Sequence, residues 1–134
     1  MEKEHRPVEG IQIKPRMTVM DIVNQMEGTA FQGRSLGNAA RVWSNMVSDD
    51  STTIFLGLAG AMIPAGMRKL MCTILRSRMV DVVVSTGANL YHDIHESLGG
   101  SHWQGDALAD DRALEKKMID RIYDVFASEE SFEE

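Results

Sequence analysis

Side chains able to do acid–base or metal chemistry crowd into one short stretch, Tyr91-His92-Asp93-Ile94-His95-Glu96, with His102 shortly after it. Histidine titrates near neutral pH, so His92 suits an acid–base or substrate-orienting role. On a helix, His92 and His95 share a face with Glu96 nearby. His92, Asp93 and His102 also invite a metal-dependent hydrolase reading. The spacing is not HExxH, however, and no closed ligand set appears. Two runs of small residues precede this stretch: Gly57-Leu58-Ala59-Gly60-Ala61-Met62-Ile63-Pro64-Ala65-Gly66 and Ser85-Thr86-Gly87-Ala88-Asn89. Backbone N–H groups in such runs can hold a phosphate without charged side chains. The first is neither GxGxxG nor a P-loop, and tight turns explain the same letters. Further on, Ser101-His102-Trp103-Gln104-Gly105 offers Trp103 either as a platform for a planar or cationic ligand or as a buried pin for a loop.

The elements that must position these residues form a βαβ unit. Thr53–Leu58 and Met79–Val84 are nearly continuous apolar runs, as expected of parallel strands covered on both faces. Between them Met67, Leu70, Met71, Ile74 and Leu75 trace one face of a helix, with Arg68, Lys69, Arg76 and Arg78 on the other. Pro64 fits a first helical position. Both small-residue loops then lie at the C-terminal edge of the strands, where open α/β sheets bind ligands. Upstream, Thr18 and Asp21 predict a helix start carrying Val19, Ile22, Val23 and Met26 and stopping at Gly28. A second helix runs from Ser35 to about Val47, burying Leu36, Ala39, Ala40, Trp43 and Val47. Downstream, Leu114, Met118, Ile122 and Val125 recur at fourfold spacing beside Ile119 and Phe126. They predict a helix started by Asp110 or Asp111, with Ser128 capping a last turn. Residues 1–16 read as an extended charged arm, and 17–134 as part of a single α/β domain. Two parallel strands alone are a poor core, so more strands, the rest of a larger sheet, or an oligomer must complete it.

A net charge of -6 with no basic tract argues against nucleic acid as a partner. The single Cys72 forms no internal disulfide and suits a reducing cytoplasm. MEKEHRPVEG lacks the apolar core of a secretory signal. No run approaches the ~18–20 apolar residues of a membrane span.

The letters TIFLGLAGAMIPAGMRKLM, RSRMVDVVVSTGANLYHDIHESLG and DRIYDVF resemble the N-terminal half of deoxyhypusine synthase, nearest its bacterial and archaeal deoxyhypusine-synthase-like branch. The resemblance runs from about Met17 to the end of the chain. It implies a Rossmann-like parallel sheet with flanking helices, the family's NAD-binding α/β fold, here incomplete at the C-terminus. It implies a cytoplasmic homotetramer with active sites at subunit interfaces. Such enzymes use NAD to oxidise spermidine and pass its aminobutyl group, through an enzyme lysine imine, to a lysine of translation initiation factor 5A. Some relatives use a polyamine acceptor and make homospermidine. By this resemblance Gly60, Ala61, Met62, Ile63 and Pro64 form one NAD-contacting segment, and Thr86, Gly87 and Ala88 a second. Tyr91 and His92 stand where the family's best-known members carry two glutamates serving cofactor and polyamine, whereas Asp93 matches. The nucleophilic lysine sits in a downstream half that this chain lacks. Lys3, Lys14, Lys69, Lys116 and Lys117 do not match its motif. The expectation is therefore an aminobutyltransferase portion that is inactive alone, or a non-catalytic subunit that completes a partner.

Overall fold

Thr18 starts the first helix by reciprocal bonding. Its Oγ1 accepts from the Asp21 N–H at 3.1 Å, and the Asp21 carboxylate accepts from the Thr18 N–H at 2.7 Å. Bonds donated by the Thr18 N–H and hydroxyl hold the Asp21 carboxyl below its ordinary range, the backbone bond most. The helix, α1, spans Val19–Met26. A second, α2, spans Phe31–Val47 and begins before the predicted Ser35. Ser35 instead lies inside it and donates to the Phe31 carbonyl at 3.2 Å. Gly37 is buried, and a Cβ there would lie 2.5 Å from the Glu27 nitrogen, so only glycine lets α2 approach the end of α1 this closely. The face predicted as buried remains open, with Leu36 53% exposed. The computed structural model describes residues 5–129. Within them, 5–14 form neither helix nor strand, and Glu9 N–H donates to the Gly28 carbonyl at 2.8 Å. A boundary between two compact units falls after Thr52.

The second unit holds the predicted βαβ arrangement. Strands β1 (Phe55–Leu58) and β2 (Val82–Ser85) pair in parallel, with Phe55 opposite Val82 and Leu58 opposite Ser85. The connection differs from a simple helix start at Pro64. Ile63–Met67 forms a single π-helical turn, in which Met67 N–H donates to the Met62 carbonyl and Gly66 takes φ 85°. A residue with a Cβ would be strained at that φ. Helix α3 then spans Arg68–Arg76, and α4 spans Gly87–Ser97 after β2. Met71 and Ile74 are buried with Ile54, Ile63 and Val80, whereas Leu70 and Leu75 remain about half exposed. This is a mixed α/β fold with a small parallel sheet rather than a complete Rossmann-like one.

The long helix predicted after Asp110 is not formed. Asp110 does cap a helix, accepting from the Arg112 N–H, but that helix, α5, spans only Asp111–Glu115. The chain then turns into an antiparallel hairpin, β4 (Ile119–Ile122) and β5 (Val125–Ser128), so Ser128 ends a strand and caps no helical turn. A two-residue strand, β3 (Trp103–Gln104), adds to β5, giving the order β3-β5-β4. The fourfold spacing misleads because Ile119, Ile122 and Val125 are also β-branched strand formers. No helix among the described residues is long and apolar enough to cross a membrane.

Candidate functional site

The C-terminal edge of the parallel sheet is organised by one buried side chain, Asn89, which is 2% exposed. Its Oδ1 accepts from the Met62 N–H at 2.8 Å and the Ile63 N–H at 3.3 Å. Its Nδ2 donates to the Leu58 carbonyl and to Thr86 Oγ1, both at 3.2 Å. Two donor and two acceptor interactions use the amide's full capacity. Thr86 completes the tie, its hydroxyl donating to the Gly60 carbonyl at 3.0 Å and its N–H to the Leu58 carbonyl at 3.1 Å. The two loops singled out in the sequence are thus stitched together from the inside.

Stitching from within leaves the outer side open. Thr86 is the N-cap of α4, but its hydroxyl is engaged with Gly60 and Asn89 and caps no helix N–H. The first turn of α4, at Gly87 and Ala88, therefore presents the positive end of a helix with no side-chain cap. Gly57, Gly60 and Gly87 have no atom within 4 Å of where a Cβ would stand, and Gly60 takes φ 64°. Small residues, open space and an uncapped helix start are what a dinucleotide's pyrophosphate requires. The Met62 and Ile63 N–H groups already serve Asn89, so the α4 start supplies the available donors.

The other chemistry-bearing residues lie further along α4. His92 and His95 are buried. The loop through Gly99 and Gly100 folds back so that His102 stacks edge-on against both, at 5.0 and 5.2 Å between ring centres. Gly100 is required for this, since a Cβ there would collide with the His95 ring. His102 Nδ1 bonds Glu96 Oε1 at 2.9 Å, and His102 Nε2 bonds His92 Nδ1 at 3.0 Å. Burial, then the neighbouring His102, pushes His92 below its ordinary value. Tyr91 meets His92 edge-on at 5.6 Å. Asp93 goes elsewhere: its carboxylate accepts from Arg68 Nε of α3 at 2.7 Å, and Arg68 also donates to Ser97 Oγ. Among the described residues, His92, Asp93 and His102 are not brought together as one ligand set. The two imidazoles meet each other and Asp93 pairs with a guanidinium. Trp103 is 53% exposed and pins no loop from inside. It borders an open cleft of about 490 Å³ whose walls include Pro64, Gly66 and His102.

Of two residues central to this arrangement, sequence reasoning places Asn89 only as part of its loop, not as the buried tie, and misses Arg68 as functional. Asn89 had a readable signal, since it lies one helical turn from Thr86 and so on the same face. Arg68 had none beyond belonging to a basic face.

The family model for deoxyhypusine synthase matches residues 21–134. The chain belongs to the deoxyhypusine synthase family. It is 48% identical over 128 residues to a probable deoxyhypusine synthase 2 of Methanosarcina acetivorans, an alignment covering 96% of this chain and 37% of that relative. A protein of the same description from Archaeoglobus fulgidus is 51% identical over 107 residues, covering 80% of this chain and 36% of the relative. A deoxyhypusine synthase-like protein of Chlorobaculum parvum is 42% identical over 113 residues, covering 84% and 32%. The chain thus spans about a third of the length of these relatives.

Proposed function

We propose that this chain forms the NAD-binding part of a deoxyhypusine synthase-like aminobutyltransferase. Spermidine is the donor, and a lysine of translation initiation factor 5A the acceptor. The observation that carries the reading is the sheet edge built by Asn89 and Thr86, with its uncapped α4 start. In this reading Gly60, Ala61, Met62, Ile63 and Pro64 form one wall of the dinucleotide site, and Thr86, Gly87 and Ala88 the other. NAD, when bound, supplies the hydride acceptor for the polyamine carbon. The chain's own residues bind the pyrophosphate through the α4 N–H groups and keep the loop from collapsing onto it. Tyr91, His92 and Asp93 form the polyamine end, Asp93 through its hold on Arg68.

The reading assigns the imine-forming lysine to sequence outside these 134 residues. A nucleophilic lysine needs a desolvated pocket that keeps it neutral, and the described Lys14, Lys69, Lys116 and Lys117 are all exposed. Completion by further chain or by other subunits of a homotetramer agrees with the uncovered apolar residues of the second unit. Phe55, Val84 and Leu98 are 66%, 62% and 83% exposed. Tyr91 and His92, standing where the resemblance implies acidic residues, weaken the electrostatic grip on spermidine there; the alternative acceptor is a polyamine, giving homospermidine.

Spermidine, NAD and an acceptor mixed with this chain test the reading, with and without a polypeptide carrying the remainder of a deoxyhypusine synthase. Aminobutyl transfer is expected only in the complemented mixture. Transfer by this chain alone would contradict the placement of the lysine, and none in either mixture would contradict the activity.

A further inference from the structure

We propose that Glu96 acts through His102 to fix the tautomer of His92, making the three residues one proton-holding relay. The inference deepens the proposed function by giving the polyamine end of the site a base, and it rests on that reading only for the base's substrate.

The direction of the relay follows from donors and acceptors. The Glu96 carboxylate only accepts, so His102 Nδ1 must carry the hydrogen of their 2.9 Å bond. A neutral His102 then has a lone pair on Nε2, and His92 Nδ1 must donate across the 3.0 Å between them. The lone pair of His92 is thereby placed on Nε2. The second Glu96 oxygen lies 3.6 Å from Arg68 Nε, so that carboxylate is held from two sides. A helical spacing of four residues sets His92 and Glu96 one turn apart, and the Gly99-Gly100 reversal drops His102 between them.

This geometry stores a proton without charging His92. When His92 Nε2 takes up a proton, the hydrogen on His92 Nδ1 passes to His102 Nε2. One proton enters, one shifts, and the positive charge comes to rest on His102 beside Glu96. A charge on His92 itself is opposed by burial and by His102. The groups facing His92 include Tyr91, His95 and Glu96 on its own helix, His102 from the loop before β3, and Asp120 from β4. Asp120 and Glu96 favour a proton there, whereas His95 and His102 oppose it. The substrate class that needs such an acceptor is a protonated amine, because an ammonium nitrogen has no lone pair until its proton leaves. Glu96 and His102 are positioning residues here, acting through His92.

Long-range ¹H–¹⁵N correlation spectra of the imidazoles, recorded on the whole chain at alkaline pH, test the relay. His92 and His102 are both expected with hydrogen on Nδ1 and lone pair on Nε2. In Glu96→Gln the His92 pattern is expected to lose this preference, because the His102 Nδ1 hydrogen is no longer fixed by a carboxylate that only accepts. The wild-type pattern decides the matter even if the variant fails to fold. Hydrogen on Nε2 of neutral His92 in the wild type would overturn the relay, as would a His92 pattern unmoved in a folded Glu96→Gln. These readings need neither NAD nor polyamine, so they stand apart from failure of the transferase reading.

Discussion

Two regions of the second unit hold their shape by different means. The loop after β1 is held by side-chain bonds to a single buried amide, whereas the three-stranded sheet is held by its backbone ladders, with Ala127 buried and the Phe126 ring against Gly105. Each has a glycine at its crucial contact, but for different reasons. Gly60 adopts φ 64° and faces open space. Gly105 takes ordinary backbone angles, but a Cβ there would lie 2.6 Å from the Phe126 ring. The polar lock leaves a ligand-accessible surface on its outer side. The three-stranded sheet has a scaffolding task, since it fixes β3 and with it His102 and Trp103.

The largest expected effect in this comparison comes from breaking the polar lock. Asn89→Leu leaves the Met62 and Ile63 N–H groups without their partner, and the Leu58 carbonyl with the Thr86 N–H alone. Stranded buried groups cost about 1–3 kcal/mol each. Denaturant unfolding should show a loss of several kcal/mol, with dinucleotide binding abolished. Gly105→Ala should cost less, about 1–3 kcal/mol for overpacking against Phe126. It should leave binding at the sheet edge intact in calorimetry. Equal effects of the two substitutions on binding would erase the distinction between lock and scaffold.

The smallest expected effect concerns pH. Burial lowers His92 from its ordinary 6.5, so the unfolded chain binds a proton that the folded chain resists. His92 therefore contributes stability above about pH 6.5 that is lost as pH falls through its depressed folded value. Melting temperatures of wild type and His92→Gln, followed from pH 7.5 to 5, should converge on the acid side (roughly the range over which histidine charges). A constant gap between the two curves would show that His92 titrates normally.

Much of this arrangement is legible in the letters. The β1 and β2 runs, the helical face containing Met71 and Ile74, and the Thr18–Asp21 cap all follow from local chemistry. So does the meeting of the two loops, because parallel strands joined by a helix put their C-terminal ends together. The β4–β5 hairpin was hidden because its two-residue turn, Tyr123-Asp124, lacks the glycine or asparagine that announces such turns. Tyr123 instead takes φ 57°. At the site, the His92–His102 approach was legible only as a proximity. Its chemistry depends on Glu96 and on a chain reversal that spacing does not specify. Asp93 was legible as a ligand candidate, but its engagement with Arg68 depends on how α3 packs beside α4.

The account's central claim is that the uncapped start of α4 receives the dinucleotide. Calorimetric titration of NAD into wild type and Ala88→Asp tests it most directly. Aspartate at an exposed first-turn position suits a helix N-terminus, so the fold should be kept or slightly strengthened while the pyrophosphate is repelled. The account predicts saturable binding to wild type, weakened roughly tenfold or more in Ala88→Asp, about 1.4 kcal/mol per factor of ten, with no loss of melting temperature. Equal binding by the two proteins, or none by wild type, would contradict it.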